Sequence, residues 1–293
     1  VRISIIYLFE KVNDRNAHIH ESESKSVIAI EPRESKSENY VEKNLDDVVS
    51  MQNVTIKIHN NLILNNITWR IQKEKRWLLR GPNGAGKSTL LSLITADNPQ
   101  AYSCELTLFG IKRGSGESIW DIKRNIGFVS PEFHQNFMRK TLLNGLRSSS
   151  TIDDIDVLDV ISSGLNDQVG FSSTNTKYNR TLAEQWLQTL DYRSIIGKRF
   201  SQLSMGEQRV LLLIRSLIKD APLLVLDEPC QGIDSYHSGK FLDILDEICV
   251  RDKKTIIYVT HSPSEIPRCI THMLELEKGM MKYCGTYGVV NNP

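Results

Sequence analysis

The run Gly81-Pro82-Asn83-Gly84-Ala85-Gly86-Lys87-Ser88-Thr89 fits G-x-x-x-x-G-K-[ST], the phosphate-binding pattern called Walker A. Its glycines let successive backbone N–H groups turn inward and ring an anion, which a Cβ would obstruct. Lys87 can then reach the outer phosphates of a nucleotide, and the Ser88 hydroxyl can bind Mg²⁺. Far along the chain, Leu223-Leu224-Val225-Leu226 runs directly into Asp227-Glu228. An apolar strand ending in two carboxylates matches the Walker B pattern. Asp227 would help hold Mg²⁺, which prefers oxygen ligands, and Glu228 would polarise an attacking water beside the γ-phosphate.

Both motifs need a particular scaffold. Trp77-Leu78-Leu79-Arg80 predicts a short strand before the phosphate loop, and Leu90 to Ile94 a buried helix after it, whose N-terminal dipole faces the anion. The run 223–226 is wholly apolar without alternation, as a parallel strand covered on both faces should be; TIIYVT at 255–260 is a second such run. Ligands of such sheets bind at the C-terminal ends of the strands, where Asp227 and Glu228 lie. Val54 to Ile58 alternates and predicts a half-exposed strand, with LNNITWRI (64–71) returning after a turn at His59-Asn60-Asn61. Further strands are expected at Glu105–Phe109 and at Asn125–Ser130, the latter running into Pro131.

From Glu132 to about Phe200 the pattern turns helical, with Leu142, Leu143, Leu146 and then Leu182, Trp186, Leu187, Leu190 at spacings of three and four. A helix apolar nearly all round is expected over Val210 to Ile218, and one at Phe241–Ile248 with Leu242, Leu245 and Ile248 on one side. A hairpin turning at Lys278-Gly279 closes the pattern. The fold class is α/β: a mostly parallel core sheet, an antiparallel β subdomain and a helical insertion at about 132–201.

Residues 1–47 are expected to form a polar linker or N-terminal arm, the domain proper occupying 48–293. After the short apolar run Val1–Phe9, residues 10 to about 47 are rich in Glu, Ser, Lys and Asn and cannot bury enough apolar surface to fold alone. The 293 residues carry a net charge of +1, which gives no nucleic-acid signal. Cys104, Cys230, Cys249, Cys269 and Cys284 are scattered and fit a reducing interior, hence a cytoplasmic placement. No apolar run reaches the roughly 18 residues that would cross a bilayer. The chain opens on Val, which a non-standard start codon or a truncated upstream region would explain.

Leu203-Ser204-Met205-Gly206-Glu207-Gln208 stands about twenty residues before Asp227. A solitary Ser-x-Gly is usually a helix cap. Placed between phosphate loop and carboxylate strand, this one resembles the LSGGQ signature of ATP-binding cassette (ABC) ATPases, with Ser204 and Gly206 at an anion-binding helix start. The resemblance covers about residues 50 to 285. It implies the P-loop fold of ABC type and two cassettes packed head to tail around two Mg·ATP, each signature facing the other cassette's nucleotide. It gives Asp234, in Gly232-Ile233-Asp234, a place in the loop that crosses between cassettes, and His261 the role of contacting the γ-phosphate and steadying Glu228. His59, His134 and His272 have no such support.

A narrower likeness, in Ile161–Asp167, Trp186-Leu187, Glu228–Gly232 and Cys269–His272, is to molybdate-transport-associated ModF-type cassettes. These often carry two cassettes in one chain. The partners implied are a second cassette, as homodimer or tandem, and permease subunits at the inner face of the membrane. The activity implied is ATP hydrolysis energising transport, of molybdate or a related oxyanion; a soluble cassette that regulates or remodels a partner is the alternative. Some positions depart from the family pattern. Ile58 stands where an aromatic ring stacks on adenine, with His59 or Tyr40 as substitutes. Pro131 stands where a glutamine contacts Mg²⁺ and the permease, Gln135 lying four residues on. Met205 and Glu207 also differ from the usual signature.

Overall fold

The computed structural model describes residues 46–147, 155–167 and 177–288. The arm expected at 1–47 lies outside them but for its last two residues. β1 (Asp47–Ile58) and β2 (Asn61–Gln72) form a long antiparallel hairpin, then β3 (Arg76–Arg80) leads into α1 (Lys87–Ile94). β4 (Glu105–Leu108), β5 (Ile111–Lys112), the short α2 (Ile119–Lys123) and β6 (Ile126–Val129) follow, and α3 (Pro131–Arg147) leaves the end of β6 at once. Beyond it come α4 (Val157–Ser162), α5 (Lys177–Thr189), α6 (Met205–Leu217), β7 (Leu223–Asp227), α7 (Ser235–Arg251), β8 (Thr255–Val259), β9 (His272–Glu277) and β10 (Met280–Thr286).

Two sheets result. One is antiparallel, in the order β2-β1-β4-β5. The other runs β10-β9-β3-β8-β7-β6 and is parallel except for β10 at its edge. The expected alternation is present on the first hairpin: Ile67, Trp69 and Ile71 are buried while Thr68 and Arg70 face out. β1 begins at Asp47, seven residues before the alternation becomes regular at Val54, because an irregular register between Met51 and Val54 interrupts the period. The central β7 and β8 are apolar and buried, apart from Asp227 at the tip of β7 and the buried Thr255 at the start of β8.

The helical segment holds α3, α4 and α5, where Leu182, Trp186, Leu187 and Leu190 are buried as their spacing predicts. The side chains of Leu142, Leu143 and Leu146 lie outside the described ones. α6 is buried from Gln208 to Leu217, packed against α4, α7 and β6. α7 corrects one expectation. It begins at Ser235, and its buried face is Phe241, Ile244, Leu245, Ile248 and Cys249, with Leu242 only half-buried. Leu242 sits one residue, about 100° of helix, away from the 241–245–248 stripe. The five cysteines are free thiols.

Candidate functional site

The phosphate loop links β3 to α1, and Gly86 is the N-cap of that helix with φ +101°. A Cβ there would meet the Leu64 side chain at 2.6 Å and the Ile63 carbonyl at 3.0 Å, so β2 admits only glycine at this turn. No side chain caps α1. Its first-turn residues Lys87, Ser88 and Thr89 instead line a cleft of about 530 Å³ together with Asn83 and Gly84, which places the helix amides and dipole at the disposal of an anion. Gly81, Pro82 and Ala85 complete the loop; Lys87 Nζ donates to the carbonyls of Gly81 and Pro82 at 2.7 and 3.0 Å. Burial pushes the Lys87 pKa down, opposed by the charges of Glu228 and Asp227.

Those carboxylates arrive on the opposite wall through strand register. β7 pairs with β8 so that Asp227 lies opposite Val259, and the Glu228 N–H still donates to the Val259 carbonyl at 3.0 Å. Glu228 takes φ +44°, a left-handed conformation uncommon for a side chain of its size. His261, two residues past Val259, places Nε2 2.9 Å from Glu228 Oε1. The Asp227 pKa is pushed up to about 6, first by burial and then by Glu228 and Glu132, with Lys87 opposing.

Asp227, Glu228 and Glu132 line the same cleft as Lys87 and Ser88 and form an oxygen-rich, electronegative corner that suits Mg²⁺. Among the described residues no set of three or more His, Cys, Asp or Glu side chains could hold a metal by itself. A hard cation held through Ser88, Asp227, water and phosphate oxygens does not require one.

Ser130, Pro131, Glu132, Gln135, Gln231 and Ile63 also line the cleft. Gln135, four residues beyond the expected glutamine position, reaches it because α3 starts at Pro131 and four residues make about one helical turn. The sequence signal for Glu132 is weak but present: Pro at a helix start directly after a strand places the first turn at the strand's end. Among the described residues no Phe, Tyr or Trp ring lines the cleft. Ile58 is 40% exposed, His59 is exposed in the hairpin turn, and Tyr40 lies outside the described residues.

Ser204, Gly206 and Asp234 do not line this cleft; they form a second surface where two helices begin. Ser204 caps α6 by accepting from Glu207 N, while its own N–H donates to Glu207 Oε2. Asp234 caps α7, accepting from the N–H groups of Tyr236 and His237 and, at 2.7 Å, facing His237 Nδ1. The two helix starts touch, since a Cβ on Gly206 would come within 2.3 Å of the His237 ring. Met205 and Tyr236, 53% and 71% exposed, flank them. Of the other histidines, His272 is stacked on Trp77 and His134 is buried.

The family model described as "ABC transporter" matches residues 64–231. The chain is 38% identical to the ABC transporter ATP-binding protein ModF of Escherichia coli over 90% of its own length and 51% of that protein. It is 30% identical to the uncharacterized ABC transporter ATP-binding protein YmeB of Lactococcus lactis, over 81% of this chain and 86% of the other. An uncharacterized ABC transporter ATP-binding protein of Schizosaccharomyces pombe is 28% identical, over 80% of this chain and 45% of that protein. The chain thus spans about half the length of two of these relatives. The fold is similar to that of cbiO1 from Clostridium perfringens, with a TM-score of 0.65 at 18% identity, covering 82% of this chain and 89% of that one. It is also similar to the dimeric post-hydrolysis cassette MJ0796 bound to ADP and Pi, with a TM-score of 0.61 at 23% identity, covering 81% of this chain and 98% of that one.

Proposed function

The chain belongs to the ABC transporter family, a family of ATPases, and from that premise we propose that it binds Mg·ATP in the 81–89 cleft and hydrolyses it between two cassettes. The observation that carries this reading is the convergence of Lys87, Ser88, Asp227, Glu228 and His261 on one cleft, with His261 Nε2 and Glu228 Oε1 2.9 Å apart. Ser88 and Asp227 would hold Mg²⁺, which would supply positive charge to neutralise the charge that develops on the outer phosphates. Lys87 exchanges its loop carbonyls for phosphate oxygens. Glu228 orients the attacking water and draws on its proton, and His261 donates from Nε2 to keep that carboxylate in place.

The second surface supports the two-cassette part of the proposal. Ser204 and the start of α6 present a capped helix N-terminus flanked by exposed Met205 and Tyr236, the features expected of a face that closes over another cassette's nucleotide. Two relatives about twice as long as this chain are consistent with a tandem partner. Replacing Glu228 by Gln tests the core reading: nucleotide binding should persist while turnover falls by about a hundredfold or more, the scale of a lost general base. Parental turnover in that variant refutes the role of Glu228.

The use of the cycle is the finer proposal. The ModF likeness and the transporter names of the relatives favour energising a permease at the inner face of the membrane, with molybdate or a related oxyanion as cargo. Pro131 favours the soluble alternative, but Gln135 restores a glutamine to the cleft and returns weight to transport. Among the described residues no helix is long and apolar enough to cross a membrane; in the transport reading permease subunits provide the path. Membrane fractionation with permease co-purification decides between them, and a pool free of both refutes transport.

A further inference from the structure

His134 stands on α3 between Glu132 and Gln135, which both line the cleft, yet it is 4% exposed and makes its hydrogen bond inside the protein. Its Nε2 lies 2.7 Å from Oε1 of Gln208 on α6. Gln208 is buried too, and its amide nitrogen donates to the carbonyls of Phe200 and Leu203, each at 3.1 Å. With both amide hydrogens committed, the Gln208 oxygen faces the ring, and His134 must donate from Nε2. Burial, joined by the nearby charge of Arg209 and opposed by the Gln208 bond, lowers the His134 pKa and keeps the ring neutral. One residue on, Arg209 Nη1 donates to the Ser130 carbonyl at 3.0 Å, and Ser130 is a further part of the cleft wall.

None of these groups belongs to the phosphate cradle or to the proposed chemistry. What they join is specific. One end is the cleft wall at 130–135; the other is the backbone at Phe200 and Leu203, immediately before Ser204. A rearrangement of that wall has a short, buried and hydrogen-bonded route to the start of α6.

We infer that His134 and Gln208 are positioning residues, forming a latch that makes the Leu203–Ser204 turn follow the cleft wall, so that filling this chain's own cleft sets the surface it offers to a second cassette. The inference rests on the two-cassette reading. It separates two properties that a merely structural contact would change together, nucleotide affinity and nucleotide-driven association.

The test uses the full chain carrying Glu228→Gln. A fluorescent ATP analogue reads affinity, and sedimentation with Mg·ATP reads association. Adding His134→Leu should leave affinity within about twofold and weaken association about tenfold, the scale of one buried acceptor left unpaired. Adding His134→Gln instead restores a donor at similar reach, and association should return to within about twofold of the Glu228→Gln chain, which also excludes a folding defect as the cause. The latch is refuted if His134→Leu associates like the Glu228→Gln chain, if it loses affinity as fully as association, or if His134→Gln fails to rescue. Should the Glu228→Gln chain itself not associate with Mg·ATP while binding the analogue, the two-cassette reading fails, and the latch with it.

Discussion

The C-terminal hairpin should prove to be part of the phosphate cradle, although it lies beyond the residues matched by the family model. Its turn, Lys278-Gly279, has φ of +49° and +76°. The Gly279 N–H donates to the Ala85 carbonyl within the phosphate loop at 3.2 Å, and the Gly279 carbonyl accepts from Asn65 N on β2 at 2.8 Å. A Cβ on Gly279 would stand 2.4 Å from the Ile63 carbonyl oxygen, a backbone atom that cannot swing aside. Gly279→Ala therefore adds about 1–2 kcal/mol of left-handed strain. It also forces the turn away from Ala85 and Asn65, losing two hydrogen bonds of about 1 kcal/mol each. The sum is about 3–4 kcal/mol, against the roughly 5–15 kcal/mol that holds a domain folded. Gly197 provides the control: its φ is +80° and a Cβ there meets nothing within 4 Å, so Gly197→Ala should show the strain alone, about 1–2 kcal/mol. Urea midpoints at unchanged slope measure both variants, and analogue binding should weaken only in Gly279→Ala, whose turn holds Ala85. If the two variants lose equal stability, or Gly279→Ala binds nucleotide like the parent, the hairpin does not brace the loop.

Gly206→Ala should abolish Mg·ATP-driven association in the Glu228→Gln background while the cleft keeps its affinity, because the added Cβ collides with the His237 ring, 2.3 Å from its Cγ, and drives apart the starts of α6 and α7; sedimentation and analogue binding read the two. Glu117 is buried against Arg113 at 2.6 Å and accepts from the N–H groups of Gly114 and Ser115. Burial alone would raise its pKa, but those bonds and Arg113 together pull it below the ordinary 4.5. Its contribution to stability is therefore complete above pH 4.5 and is lost as pH falls through the lowered value, so Glu117→Gln should lower the melting temperature at neutral pH and flatten the acid limb of its pH profile. Ile58→Tyr should raise affinity for ATP severalfold, about 1 kcal/mol from ring stacking, if the base lies by the tip of the first hairpin; an unchanged affinity places the base elsewhere.

What the sequence made legible here is whatever local chemistry demands. The glycines of 81–86, the apolar run ending in Asp227-Glu228 and the Ser204 cap each follow from what a few consecutive residues must do with their own backbone. The fold class was legible for a similar reason, since unalternating apolar runs at β7 and β8, one ending in Asp227-Glu228, are what strands covered on both faces of a parallel sheet present. Register was not. The Glu228–His261 contact depends on Asp227 pairing with Val259, and the helix and loop of residues 228–254 between the strands leave no local trace of which residue faces which. The family resemblance supplied that pairing, and the structure gives it a cause. Contacts between separate elements were hidden in the same way. Gly279 reads only as a turn glycine until the Ile63 carbonyl is seen beside it. His134 reads as one histidine without ligand spacing until Gln208 is found 2.7 Å away. Each hidden contact joins the cleft or its loop to a distant segment, and each is made by a residue whose type is unremarkable by itself. A site assembled from several chain segments is thus announced by its chemical groups and held by residues that only the packing identifies, which is why perturbing Gly279 or His134 tests the structure more severely than perturbing Lys87.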